Sequence, residues 1–399
     1  MDFGKGWYHK VNSVSEEKKS SLPGKDIQIQ EDFQREAKAS LDGLSFPSPQ
    51  DEAWRKFPLH ALELETYFQN ANAFQTFFAE VEGIESPFPR LEVLNALKAA
   101  CVANYFALHA LSTARQFQWI SFEGAKEVPD TKEILWNQTE GKHIVSVIIY
   151  YIPKNTNVKL HESFGSYLQS EDLHISNQVC FYYLEENASL EILTEEEYDS
   201  NHIQLKWIGS HQKRDSKLVI HSFPKKGFRG KIFYKPELAG KGAEFLLSGV
   251  SVRKKRELLD IDAKVVHSAD YTSSKIKYKT IVADRAHHIF TGDLYIPGQV
   301  KKVTAHQESN NLSLHKKARA EANPKLEVMA EDVSCTHGAT VGDLDEEQFF
   351  YLLTRGLSPE EAKALLLEAF YESSLSIIGF SELTKAELSA RIKEAVFGS

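Results

Sequence analysis

From about Ala103 to Leu314 the chain is a succession of short apolar runs bounded by polar, Gly, Asn or Asp turns. Residues 118–122, 143–152, 178–184, 217–221, 259–266 and 275–282 are typical, rich in β-branched and aromatic side chains. Almost no long helical period interrupts them, so this stretch reads as strands. More than a dozen short strands over about 230 residues require an all-β solution, and a sandwich, a propeller or a parallel β-helix each fits that number. No strict repeat, Trp-Asp signature or regular Gly motif selects a propeller. The residues alone stop at a large all-β domain.

Helical patterns flank it. Residues 1–26 are polar and read as an arm ending at Pro23-Gly24. Ile29, Phe33, Ala37 and Leu41 predict a helix over 26–41, and Phe74, Phe77 and Phe78 belong to an aromatic-rich helical stretch over 61–81. Leu91, Leu94 and Leu97 mark a further helix. After Gly342 the chain turns helical again. Residues 345–354 form one helix stopped by Gly356, and Ser358-Pro359-Glu360-Glu361 is a capping box opening the next. Thr384 to Glu387 reads as a second capping box, with Leu388, Ile392 and Ala395 on one face of the helix it opens. The expected organisation is a helical region over 1–102, a β-core over 103–342 and a helical domain over 343–399.

A net charge of −9 argues against nucleic acid as the main partner. The three cysteines, Cys101, Cys180 and Cys335, are far apart, which is no disulfide framework and fits a reducing cytosol. The first residues show no secretory pattern, and no run of about 18 apolar residues predicts a membrane span. A cytoplasmic protein is therefore expected. There is no Walker A motif and no Gly-x-Gly-x-x-Gly, so no nucleotide is expected on this chain.

One short stretch carries metal chemistry. Leu326, Val328 and Ala330 alternate like a half-buried strand. Cys335 and His337, two positions apart, then share one side of an extended chain. A soft sulfur beside a borderline nitrogen suits iron, zinc, copper or a sulfur-transfer step. The competing reading is a buried cysteine and an unrelated histidine, because a metal site needs three or four ligands. Gly338, Ala339 and Gly342 read as a tight turn, with close approach of another backbone as the alternative.

Lys325-Leu-Glu-Val, then Glu331-Asp-Val-Ser-Cys-Thr-His-Gly-Ala-Thr-Val-Gly342, then Asp345 to Leu357 resemble the C-terminal signature of the SufB/SufD family of iron–sulfur cluster assembly scaffolds. Glu52-Ala-Trp54-Arg-Lys-Phe-Pro58-Leu is similar to a segment near that family's N-terminus. Gly338 resembles the SufD branch, since the SufB branch has Glu there. The resemblance implies a right-handed parallel β-helix core flanked by N-terminal and C-terminal α-helical domains. It implies a non-catalytic scaffold that pairs with SufB through the β-helices, and a homodimer when isolated. It implies a SufC ATPase, carrying the ATP, docked on the C-terminal helices at Phe350, Tyr351, Arg355, Leu357, Ala362, Leu366 and Phe370. A transient iron–sulfur cluster would form at the SufB interface on His337 and Cys335, with His267 and Lys279 in support. For His267 the residue-level reading is a hydrogen-bonded structural histidine. Two rivals stand beside this: a carbohydrate-active β-helix lyase or hydrolase using Asp260 and Asp262 on one strand face, and a SufB-like homodimeric scaffold.

Overall fold

A computed structural model of the chain describes residues 24–59, 62–70, 90–115, 117–122, 132–138, 143–166 and 172–398. The polar arm over 1–23 and Phe74, Phe77 and Phe78 lie outside the described residues.

The first sheet contains β1 (Phe117–Ser121), β3 (His143–Ile152) and β5 (His174–Leu184), and continues through β9 (Leu258–His267), β11 (His287–Ile296) and β13 (Arg319–Val328). The second contains β2 (Lys132–Gln138), β4 (Asn157–Ser166), β8 (Glu244–Arg253), β10 (Ser273–Val282), β12 (Val303–Ser313) and β14 (Val333–Asp343). Two long strands, β6 (Ser189–Gln212) and β7 (Lys217–Leu238), bend round a corner and contribute one half to each sheet. Every pairing among the described residues is parallel, for example Cys180 with Ile208 and Gln307 with His337. The chain is thus a β-solenoid of about 7 turns, with strands contributed alternately to two facing sheets.

Coil length varies. Ile203 pairs with Arg229, whereas His287 pairs with Arg319, a longer step along the chain. That variation removes any fixed sequence period. Corners are held instead by a ladder of left-handed residues. Asn155, Asn187, Asp215, Tyr271 and Lys302 all have positive φ, and Gly242 joins them. Each donates its N–H to the coil above: Asn155 to Glu186, Asn187 to Arg214, Asp215 to Lys241 and Lys302 to Asp332. Asn and Asp suit this conformation, which is the turn signal seen in the sequence.

Alternate side chains fill the space between the sheets. Ile148, Cys180, Ile208, Ile232, Ile261 and Phe290 come from the first sheet, and Leu160, Ile192, Ile220, Leu247, Ile276 and Ala305 from the second. Helices cover the outer faces. α1 (Gly24–Asp42), α3 (Leu91–Cys101) and α4 (Tyr105–Thr113) pack on Trp119, Val147, Phe181 and Trp207. α4 falls inside the span the sequence assigns to β-structure; Asn104 opens it by accepting the Ala107 N–H. α2 (Leu64–Asn70) and the Trp54 segment cover Ile203, Leu205, Leu258 and Ile289 farther along.

α5 (Glu346–Thr354), α6 (Pro359–Leu375) and α7 (Glu382–Phe397) follow β14. α6 and α7 bury Leu367, Tyr371, Leu388 and Ile392 against Leu193, Phe223, Val250 and Ile281 of the second sheet. The Ser358 capping box is present. The Thr384 box is not: Ser381 caps α7 and accepts the Thr384 N–H.

Candidate functional site

The last coil, β13 and β14, has no further coil stacked on it among the described residues. β14 pairs with β12 along all of Val333 to Asp343, which leaves its other edge open. Its inward row is Val333, Cys335 and His337, in register with Val303, Ala305 and Gln307. In β12 those positions are buried. In β14 no described strand covers them, so Cys335 is half-buried against the core and His337 is exposed. Strand alternation has placed a sulfur and an imidazole side by side at an open end. Burial raises the Cys335 thiol above its ordinary pKa, against one backbone hydrogen bond that lowers it. Deprotonation therefore waits for a metal or a nearby cation.

The tight-turn reading of Gly338 and Gly342 is corrected. Both lie within straight β14, neither has positive φ, and no atom lies within 4 Å of where a Cβ would stand. Continuous pairing with β12 overrides the turn propensity of three small residues. The fold of this chain does not require glycine at either position.

His267 is fully buried two coils earlier. Its Nδ1 is 2.8 Å from the Thr272 hydroxyl and its Nε2 2.9 Å from the Ser274 hydroxyl. Burial lowers its pKa to about 4, so it is neutral and both ring nitrogens are engaged. Lys279 donates to the Phe370 carbonyl and lies 4.8 Å from the centre of the Phe370 ring, tying α6 to β10. The structure therefore does not bring His267 and Lys279 to Cys335 and His337. His287 and His288 diverge as strand geometry demands: His287 bonds Glu321 outside, and His288 is buried inside beside Thr280. Among the described residues no three His, Cys, Asp or Glu side chains converge as a metal site. Cys335 and His337 supply at most part of a ligand set.

The residues expected to dock an ATPase divide. Phe350 and Tyr351 are 66% and 54% exposed, and α5 buries none of its residues. Arg355 is exposed, with its guanidinium over the Tyr351 ring. Leu357 and Leu366 are half-buried, Ala362 is fully buried, and Phe370 faces Lys279. The accessible part of this set is thus on α5 and its end. Polar clamps the sequence did not reveal fix α6 and α7 to the second sheet. Arg391 bonds Glu195, which also holds His161 at 2.8 Å. The Gly379 N–H donates to Glu191, which holds His221 at 3.0 Å.

Asp260 and Asp262 do share a strand face, but they line no open groove. Both bind Lys231, at 2.9 and 2.6 Å, and the Trp54 ring lies 5.7 Å from that ammonium. A glycosidase needs two carboxylates flanking an accessible bond. This is a covered ion cluster. The two segments carrying the sequence resemblance also meet nearby, where Glu52 bonds Lys325 at 2.5 Å, and Lys56 pairs with Glu321 just before the second of them.

The sequence model described as "SUF system FeS cluster assembly, SufBD core domain" matches residues 135–370, from the first described coil through β14 to α6. This chain belongs to the SufBD family. It is 31% identical over 160 residues to the iron–sulfur cluster assembly protein SufD of Escherichia coli, covering 40% of this chain and 36% of that protein. It is 26% identical over 257 residues to a SufBD family protein, slr0076, of Synechocystis, covering 62% and 55%. Protein ABCI7, chloroplastic, of Arabidopsis thaliana is 27% identical over 203 residues, 50% of this chain and 42% of that one. The matches thus span between about a third and somewhat over half of the length of these relatives. The family is mainly-β and solenoidal in this member, as its resemblance implies. No helix among the described residues is long and apolar enough to cross a membrane.

Proposed function

We propose that this chain is a non-catalytic cytosolic scaffold subunit for iron–sulfur cluster assembly. It pairs through the open end of its solenoid with a SufB-type partner, and a nascent cluster is its cargo at the shared edge. One observation carries this reading: Cys335 and His337 stand on the inward row of a terminal coil whose outer strand edge is unpaired among the described residues. A free edge is a pairing surface. A soft sulfur and an imidazole nitrogen suit iron, and a second chain joined there would complete a set of which this chain holds only part. His337, the more exposed of the two, is the principal ligand.

A SufC-type ATPase sits on α5 through Phe350 and Tyr351 and binds the nucleotide itself. The clamps from Lys279 and Arg391 join α6 and α7 rigidly to β10 and β6, and β10 pairs with β12, which pairs with β14. ATP-driven movement of the helices is thereby passed along the second sheet to the cluster edge. This chain supplies a lever and part of a site, with no turnover of its own. Without its partner, two copies join edge to edge.

The test is anaerobic cluster reconstitution in the complex purified with SufB-type and SufC-type partners, wild type against His337→Ala. The expected outcome is an intact complex with cluster absorbance reduced at least severalfold. An intact complex with unchanged absorbance would remove His337 from the site.

A further inference from the structure

The three turns that lead from the second sheet back to the first, residues 254–257, 283–286 and 314–318, stack at one corner of the solenoid. Backbone bonds hold them in a column. The Ala283 and Arg285 N–H groups donate to the Arg253 and Lys255 carbonyls, and the Leu314 and Arg319 N–H groups donate to the Val282 and Ala286 carbonyls. With Arg319, the first residue of β13, the column carries seven lysines and arginines against two carboxylates. The chain as a whole has a net charge of −9. The turns at the opposite corner, 268–272, 297–302 and 329–332, carry two lysines and three carboxylates, and there Lys302 pairs with Asp332.

Both carboxylates of the basic corner are engaged in shaping the turns. Glu257 accepts the Lys254 N–H at 3.2 Å and lies 3.7 Å from the buried Arg253 guanidinium. Asp284 accepts the Lys255 N–H at 2.9 Å, and its own N–H donates to His315 Nδ1 at 2.6 Å. Lys254 donates to the Gly398 carbonyl at the end of α7. The other six cations, Lys255, Arg256, Arg285, Lys316, Lys317 and Arg319, are exposed, and their side chains have no ion-pair or hydrogen-bond partner among the described residues.

The fold itself gains nothing from this charge. Lys255 has a φ of 58°, a left-handed conformation that Asn, Asp or Gly adopts more readily. Like charges on tiers about 4.8 Å apart repel, so the column opposes folding of the free chain. An opposite charge supplied from outside would reverse that balance.

We infer that this corner is a docking strip for an acidic α-helix of a protein partner. A helix repeats each face about every 5.4 Å, close to the step between tiers, so carboxylates on successive turns meet successive tiers. An extended strand repeats each face about every 6.7 Å and falls out of step. The three turns contain no aromatic side chain on which single-stranded nucleic acid could stack. A longer polyanion would run beyond the strip onto a chain of net negative charge. None of the large exposed apolar side chains lies in these turns, so nothing there would insert into a membrane. The third tier opens β13, so a helix laid along the strip ends at the coil that carries Cys335 and His337. The inference does not depend on the role proposed for those two residues.

The test uses the full chain and fluorescence anisotropy. The probe is a capped, Ala-rich peptide of about 20 residues, long enough to be helical, with Glu residues spaced three and four apart on one face. A peptide of the same composition, with its Glu residues distributed round the helix, is the comparison. Wild type is expected to bind the one-faced peptide at least tenfold more tightly than the distributed one, with affinity falling as salt rises. The combined Lys255→Glu, Arg285→Glu and Lys316→Glu variant is expected to lose at least tenfold in affinity. Its thermal melting should not fall, because these side chains are exposed and unpaired. Lys301→Glu, at the opposite corner, is expected to bind like wild type. Where the charge-reversed variant fails to fold, the same three positions changed to Gln give the reading, with the same direction expected. Equal affinity for the two peptides overturns the inference, and so does unchanged binding in the variants. Tighter binding of duplex DNA, or of vesicles containing phosphatidylserine, also overturns it, by making the strip a phosphate surface.

Discussion

At the scale of single residues, the protein buries neutral histidines, some inside the solenoid and some between the first sheet and α4. Burial lowers His109 and His267 to about 4, and His143 and His202 to about 3. An unfolded histidine titrates near 6.5, so as pH falls below that value the unfolded chain takes up protons that the folded chain refuses. Their contribution is complete above about pH 6.5 and is lost as pH falls towards 4, by about 1.4 kcal/mol per unit for each histidine. Asp260 works in the opposite direction: burial raises it to about 6, and below that pH the folded state gains a proton first. Four histidines outweigh one carboxyl. Denaturant unfolding at pH 7.5, 6 and 5 is expected to show stability falling steadily, with a shallower slope in His267→Gln. A flat profile would contradict the buried neutral assignment. The pairing of Cys335 with His337 was legible because strand alternation is local. The register of β14 on β12, which stacks His337 on Gln307, was not, because the two lie a whole coil apart in the chain and register is fixed only when the coils stack.

At the scale of elements, those decided by local chemistry were legible and those decided by a distant strand were not. Ser358 and Glu361 cap α6 as their spacing requires, since a capping box is complete within a single turn. Ser381 displaces Thr384 at α7 because its hydroxyl reaches the Thr384 N–H across the first turn. Gly338 and Gly342 look like a turn, yet β12 holds them extended, and only tertiary pairing could reveal it. α5 is the opposite case, an element with almost no tertiary support. Its aromatic pair contributes little to folding, so Phe350→Ser with Tyr351→Ser is expected to change stability by less than about 0.5 kcal/mol. The same variant should weaken capture of the SufC-type ATPase at least tenfold, measured by binding of the purified partner. Undiminished binding would move the docking surface elsewhere.

At the scale of the whole molecule, two facing sheets are sheathed by helices along their flanks and, among the described residues, left bare at the β13–β14 end. The N-terminal segment reaches that end through Glu52 and Lys56, and the C-terminal helices reach it through β10 and β12. Both flanking regions therefore bear on one coil. The solenoid itself was not legible from the residues, because coils of unequal length hide the repeat; the family signature supplied it. The central claim is that the bare end is where a second chain joins. The most direct measurement is amide hydrogen exchange along β14, in the free chain and in the complex with the SufB-type partner. Every second residue of β14 points its backbone groups away from β12, and these amides are expected to exchange fast when free and slowly in the complex. Protection that appears elsewhere, with β14 exchanging equally fast in both states, would contradict the account.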